Sequence, residues 1–179
     1  VMNSIKNVLI LGSGTMGLQI GLQCAAYDMN VIIFDVKQKA VETGLLRLRK
    51  LADAMVRHQR VTGGRIEQTL GRIQFSMDPQ TAGKNADLIS ESIPEDPDLK
   101  SNVFSQFNAI CPAHTIFTTN SSTLVPSMIA DGSGRPDRFA ALHFHSILVT
   151  NIVDVMPHPG TSGQTIEKLL KFCKAIDQY

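Results

Sequence analysis

No CxxC pair occurs in this sequence. Its three cysteines, Cys24, Cys111 and Cys173, are odd in number and widely spaced, so neither a disulfide framework nor a zinc site is signalled. No metal is predicted, and a reducing compartment fits best, cytoplasmic or matrix, with the cytoplasm the expected location. Excess charge is lacking too: 17 Lys+Arg against 16 Asp+Glu leave a net +1. Such a chain has no general field to draw in nucleic acid or an anionic membrane. Any anion it binds must be held by local geometry. No apolar stretch approaches the roughly 20 residues of a membrane span, and the N-terminus shows neither the charged region nor the cleavage site of a secretory leader. Neither nucleic acid nor membrane is expected as a partner. Repeats and low-complexity tracts are also missing, and Val1 ahead of Met2 reads as a remnant outside the fold.

What is there fits one domain. The 179 residues, 43% hydrophobic and 18% charged, suffice for a single sizeable core but not for two full ones. Residues 5–11 form a largely apolar, β-branched stretch ending at Gly12, the look of a strand buried on both faces. Residues 15–27 place Met16, Ile20, Cys24 and Ala25 at helical spacing, and residues 31–34 make a second buried strand closing on Asp35. That is a complete β-α-β unit. From Lys37 to about Arg60, Val41, Leu45, Leu48, Leu51 and Met55 recur at steps of three and four. The spacing predicts one long helix, or two joined near Ala52, in a helical excursion over about 37–64 that ends at Gly63-Gly64.

Further strands are predicted over 72–77, 87–93, 115–119, 139–144 and 151–156, with helices over 79–85, 99–110 and 126–130. Strands alternating with helices mean an α/β fold with a mainly parallel sheet. Residues 162–178 carry Ile166, Leu169, Leu170, Cys173 and Ile176 as the apolar stripe of a last helix. Nothing after it in the sequence could cap that helix or cover the stripe. The natural polypeptide is therefore expected to continue beyond Tyr179.

Gly12-Ser13-Gly14-Thr15-Met16-Gly17 is GxGxxG, and its context gives it weight: it follows a buried strand and opens a helix, and Asp35 ends the next strand 23 residues after Gly12. Gly12 permits the tight turn, Gly14 omits the Cβ that would block a pyrophosphate, and Gly17 lets helix and strand pack closely. The helix N-terminus, with Thr15 and Met16 in its first turn, offers unpaired N–H groups to the phosphates. Asp35 would accept the adenosine ribose hydroxyls and repel a 2′-phosphate, favouring NAD(H) over NADP(H), although Lys37 lies nearby.

Three more clusters fall at strand ends: Glu91-Ser92-Ile93-Pro94-Glu95 with Lys100, Thr119-Asn120-Ser121-Ser122-Thr123-Leu124, and Leu142-His143-Phe144. Singly, each has a plain reading: a solvated helix start for Glu95 and Lys100, a helix cap for Asn120-Ser121-Ser122, a core histidine for His143. Together and in order, with the glycine loop, an acidic strand and the HPGT turn at His158-Thr161, they resemble the L-3-hydroxyacyl-CoA dehydrogenase family over residues 6–176. A weaker resemblance, through Pro157-His158-Pro159 and the glycine loop, is to L-gulonate 3-dehydrogenase and the lambda-crystallins.

The family resemblance implies a Rossmann-type doubly wound sheet as the NAD-binding domain (1–179), with the family's second, helical domain outside this chain. That second domain would complete an acyl pocket and form a homodimer interface. It implies NAD-dependent oxidation of a 3-hydroxyacyl-CoA. Glu95 and Lys100 would touch the nicotinamide end, and Asn120 and Ser122 would hold the nicotinamide ribose and the substrate oxygen. His143 would be the catalytic base, oriented by Asp154. The chemistry suits these types: an imidazole titrating near neutrality can take the hydroxyl proton, and a carboxylate on its far nitrogen fixes the tautomer.

The sequence departs from the family pattern after His143. The usual Phe-Asn-Pro segment is replaced by Phe144-His145-Ser146-Ile147, and the paired acid is Asp, eleven residues on, where the family has Glu twelve residues on. One residue of shift turns a side chain to the other face of a strand, so the loop must absorb the difference for Asp154 to meet His143. His145, two residues along, should share the face of His143 and is a substitute partner or base, or a packing residue. His158 reads as structural. The basic set Arg47, Arg49, Lys50, Arg57, Arg60 and Arg65 reads as a solvated helix face, or as a CoA phosphate contact. Two alternatives to the acyl-CoA reading stand: a dehydrogenase of a small hydroxy or sugar acid, and a non-catalytic NAD-binding homologue.

Overall fold

Alternation along each strand sets the architecture. In the computed structural model, which describes residues 5–179, Val8 and Ile10 pack into one apolar cluster while Leu9 and Leu11 pack into another. The sheet is thus buried on both faces, as the apolar run predicts. The reading of Val1-Met2 lies outside the described residues.

The chain runs β1 (Asn7–Leu11), α1 (Thr15–Ala26), β2 (Asn30–Phe34), α2 (Gln38–Arg57), α3 (Ile66–Gly71), β3 (Ile73–Ser76), α4 (Pro79–Gly83) and β4 (Leu88–Glu91). It continues through α5 (Pro97–Asn108), β5 (Ile116–Thr119), α6 (Ser127–Ala130), β6 (Phe139–Phe144), β7 (Val153–Pro157) and α7 (Gly163–Ala175). The seven strands lie in the order β3-β2-β1-β4-β5-β6-β7, parallel throughout except for β7, which runs antiparallel to β6. This is a doubly wound Rossmann-type sheet. The chain leaves β1 toward β2 and later returns on its other side through β4, so the switch point opens between the carboxyl ends of β1 and β4.

One face packs Leu18, Leu22 and Cys24 of α1, Leu48 and Met55 of α2, and Leu169, Phe172 and Cys173 of α7. The other packs Phe104 and Phe107 of α5 and Ile129 of α6, with Phe104 stacked on Phe117 at 5.5 Å between ring centres. All three cysteines are free and buried, and burial pushes the Cys111 thiol up to about 11 and the Cys173 thiol up to about 12. Among the described residues no helix is long and apolar enough to cross a membrane.

The excursion after β2 takes the first of its two expected forms, a single 20-residue helix without a break at Ala52, because Leu48, Ala52 and Met55 all face the core; α3 follows it after a short 3₁₀ turn. Two expectations need correction. The last strand spans Val153–Pro157 and not 151–156, with Asn151 and Ile152 in the preceding loop. Most of the stripe of the last helix is covered, since Leu169, Cys173 and Ile176 are at most 3% exposed, while Ile166 is half-buried and Leu170 stays 48% exposed. That helix is also capped. Asp177 adopts φ 55°, its N–H donates to Lys174 O, and the Gln178 N–H donates to Cys173 O at 2.9 Å, a Schellman ending. The expected lack of a cap is thus wrong, and the expected lack of cover holds for Leu170 alone in the stripe.

Candidate active site

The glycine loop links β1 to α1 at the switch point. Gly12 has φ +101°, a backbone region costly for other residues, and a Cβ there would lie 2.7 Å from the Ser92 carbonyl of the β4 end. Around Gly14 a Cβ would meet nothing within 4 Å, so the space in front of the helix is open. Gly14 caps α1 with no side-chain acceptor and no acidic residue follows in the first turn, which leaves the first N–H groups for an anion. A Cβ on Gly17 would sit 2.0 Å from the Gly12 carbonyl oxygen. Gly17→Ala is thus expected to push α1 away from the loop, costing about 1–3 kcal/mol of stability as overpacking does and weakening NAD binding in a calorimetric titration. Unchanged affinity would show that the contact is not needed.

Asp35 stands beside this loop, half-buried at the end of β2. Its Oδ2 accepts from the Ser13 N–H at 3.0 Å and the Ser13 hydroxyl at 2.7 Å, and its Oδ1 from the Lys37 N–H at 3.1 Å. Burial acts to raise this carboxyl, but the bonds from Ser13, Lys37 and Val36 outweigh it and hold it below the usual range. Arg47 of α2 lies across the same loop, with Nη1 3.3 Å from Ser13 O and Nη2 3.0 Å from Thr15 Oγ1. The basic set therefore divides. Arg47 is drawn to the glycine loop, whereas Arg49 pairs with Glu67, and Arg65 with Asp28.

The next loop is organised from beneath by a buried pair. Lys100 and Glu91 are both 0% exposed, and the Lys100 ammonium donates to Glu91 Oε1 at 2.6 Å, Glu95 Oε1 at 2.9 Å and Ile93 O at 3.3 Å. Glu91 also accepts from the Ile93 N–H at 2.7 Å and the Thr119 hydroxyl at 2.6 Å. With its three donors taken internally, Lys100 reaches the site surface only through Glu95. The Glu95 carboxylate is partly exposed and accepts from Ser121, Thr123 and Lys100. Burial acts to raise it, but the Ser121 hydroxyl and Lys100 outweigh this and keep it low.

Asn120 ends β5 and ties it to β6, its Oδ1 accepting the Phe144 N–H at 2.7 Å. Ser122 follows, exposed. On β6 and β7, His143 and Asp154 are direct cross-strand partners, with Nδ1 3.4 Å from Oδ2. The loop does absorb the missing residue: the Val149 and Thr150 N–H groups close a turn on Ser146 O, and Ile147, 0% exposed, donates its N–H to Gln19 Oε1 of α1 at 3.0 Å. His145 shares the face, and its Nε2 lies 2.9 Å from the same Asp154 Oδ2. The hydrogen bond from His145 is the main cause that holds the Asp154 carboxyl low; burial opposes it, and the bond from His143 with the charge of both rings adds to the lowering. His158 is held by the Pro136 carbonyl at 2.7 Å.

Comparison with known proteins bears on this geometry directly. Residues 7–179 match the family described as 3-hydroxyacyl-CoA dehydrogenase, NAD binding domain. The chain belongs to this family. Its cofactor is accordingly NAD, and the open helix end, the glycines and the low-lying Asp35 carboxylate are residues that fit it. The chain is 32% identical over 183 residues to hydroxyacyl-coenzyme A dehydrogenase, mitochondrial, of Rattus norvegicus, a match covering 98% of this chain and 58% of that protein. Among solved structures it is similar to a diketoreductase studied for dual catalysis of dicarbonyl compounds (TM-score 0.93, 36% identity, 99% of this chain and 63% of that one). It is also similar to (S)-3-hydroxybutyryl-CoA dehydrogenase from Ralstonia eutropha (TM-score 0.90, 28% identity, 98% and 62%). The chain spans less than two thirds of the length of each.

The structure gathers the residues expected at strand ends along one edge of the sheet: Gly12, Gly14 and Gly17 with Thr15 and Met16, then Asp35, Glu95, Asn120 and Ser122, then His143 with Asp154. Lys100 lies beneath them. Two contributors were given no role of their own from the sequence. Glu91 could have been found as the acid that ends an otherwise apolar buried strand. Gln19 sits on a uniformly buried helix, where a polar residue signals a specific partner.

Proposed function

We propose that the protein carrying this domain interconverts a 3-hydroxyacyl-CoA and its 3-oxoacyl-CoA, with His143 as the general base. The observation that supports this most is the His143–Asp154 pair, placed in register at the carboxyl end of the sheet beside Asn120. NAD, when bound, supplies the hydride acceptor. Because Nδ1 faces Asp154, the ring carries its proton there and presents Nε2 to the cleft, where it takes the substrate hydroxyl proton. Asp154 keeps that tautomer and steadies the imidazolium that results. Ser122 donates to the substrate oxygen, and the Asn120 amide, anchored through its oxygen, turns its NH₂ to the nicotinamide ribose. Glu95 borders the nicotinamide end, and Lys100 acts by holding Glu95 in place. Gly12, Gly14 and Gly17 with the α1 N–H groups receive the pyrophosphate, and Asp35 the adenosine ribose.

The acyl pocket and a homodimer interface are assigned to chain outside these 179 residues, in keeping with the greater length of the relatives. Three free buried thiols agree with a reducing compartment such as the cytoplasm. A second reading, reduction of a free dicarbonyl compound, draws on the 36% identity to the diketoreductase. The two are separated by assaying the complete protein with NADH on a 3-oxoacyl-CoA and on the corresponding free dicarbonyl ester. The first reading expects kcat/KM at least tenfold higher for the thioester. The reverse ratio would install the second, and failure with both would leave a domain that binds NAD without turnover.

A further inference from the structure

We infer that His143, His145 and Asp154 form a binding site for a divalent transition-metal ion of the zinc class, and that the ion holds the proposed base out of action. The second half rests on the reading of His143 as base; the metal site itself does not.

The strand register creates the site. His143 and His145 stand two residues apart on one face, and Asp154 pairs directly with His143 and diagonally with His145. Asp154 Oδ2 lies 3.4 Å from His143 Nδ1 and 2.9 Å from His145 Nε2, and the three ligand atoms all fall within 4.8 Å of one another. Ligands about 2.0–2.2 Å from a tetrahedral ion lie roughly 3.3–3.6 Å apart, so small side-chain rotations suffice. The rings, 4.7 Å between centres and tilted by 57°, bring two different nitrogens toward one carboxylate oxygen. Two imidazoles and one carboxylate suit zinc, nickel or copper, whereas magnesium and calcium require oxygen sets. The His145 and Asp154 side chains are 43% and 50% exposed, which leaves an entry path and room for a water as fourth ligand. Competing sites are poor. Among the described residues no other group of three or more such ligands comes together; the cysteines are buried, His158 is engaged by a carbonyl, and His114 pairs with Asp87.

The proton accounting links the ion to the chemistry. Without an ion, each ring directs its N–H at Asp154: Nδ1–H from His143 and Nε2–H from His145. An ion needs lone pairs at those two nitrogens, so each ring moves its proton to its other nitrogen, with none lost. In His143 the proton then sits on Nε2, the atom that must be bare to accept the substrate proton. Metal binding and turnover exclude each other.

The test uses cobalt(II) and zinc(II) on the metal-free protein. We expect one cobalt per chain, seen by the visible absorption of a four-coordinate ion and displaced by one zinc. Zinc should inhibit turnover of a 3-hydroxyacyl-CoA, with recovery on adding a chelator. His145→Phe should weaken both cobalt binding and zinc inhibition by more than about tenfold, since loss of even an outer-shell partner costs that much. An unchanged thermal midpoint for His145→Phe would assign the loss to the ligand and not to the fold. No cobalt spectrum at stoichiometric concentration, or equal affinity in His145→Phe, would overturn the site. Zinc bound at the site with turnover intact would overturn the switching. A cobalt spectrum lost in His145→Phe, in a protein with no turnover even free of metal, supports the site and counts against the dehydrogenase reading alone.

Discussion

His143→Ala in the complete protein is expected to lower kcat by about 10²–10⁴-fold, the usual contribution of a positioned general base, with NAD affinity unchanged. The separation of the two effects follows from the contacts. Asn120 is anchored to the main-chain N–H of Phe144 and not to the imidazole, so the alanine variant keeps that corner of the cleft in place. The glycine loop and Asp35 lie on β1 and β2, with β4 and β5 between them and β6. Steady-state rates on a 3-hydroxyacyl-CoA, together with a calorimetric titration of NAD, check both halves. A variant that keeps its rate to within tenfold would remove His143 from the chemistry, and a parent protein that binds NAD without turning over would favour the non-catalytic reading.

Lys100→Met, in α5 beneath the site, is expected to be strongly destabilising. It leaves the Glu91 carboxylate fully buried with only the Ile93 N–H and the Thr119 hydroxyl for partners. Breaking a buried ion pair from one side costs about 3–5 kcal/mol, against a total stability of about 5–15 kcal/mol. For a chain of this size that lowers the thermal midpoint by roughly 10 °C. The bond from Lys100 to Glu95 adds little to this figure, because Glu95 is 43% exposed and water screens it. Adding Glu91→Gln to Lys100→Met removes the stranded charge and should recover part of the loss. A midpoint within about 2 °C of the parent for Lys100→Met alone would show that the pair can be dissolved without penalty. Nucleotide affinity should fall in the single variant as well, since Glu95 and the Ile93 carbonyl lose the ammonium that fixes their loop.

These two residues mark what a sequence reveals and what it conceals. The sheet was legible because its signal is local: a β-branched apolar run between glycines has few other uses, and a glycine loop followed by an acid at the right interval repeats a known physical solution to holding a pyrophosphate. Lys100 was not legible in the same way. A lysine three residues after Pro97 looks like any helix surface position, and only the three-dimensional return of α5 over β4 buries it on Glu91. The stripe of the last helix misled for a related reason, since its cover comes from the helix folding back onto β7 and the core beside it, which periodicity within the helix does not show. Asp154 was an intermediate case. Its residue type pointed to a partner for His143, but the register depends on how residues 145–152 fold, and that is fixed by Ile147 reaching the core and by a bond to Gln19.

That bond gives α1 two duties. Its first turn, opened by Thr15, offers N–H groups to the dinucleotide, and Gln19, one turn further along, pins the loop that follows His143. The receiver of the phosphates and the brace of the base are thus one rigid piece of backbone, and a tilt of this helix that repositions either must carry the other with it. Cofactor capture and proton transfer share a single mechanical reference in this domain, with the strands on either side serving as its housing.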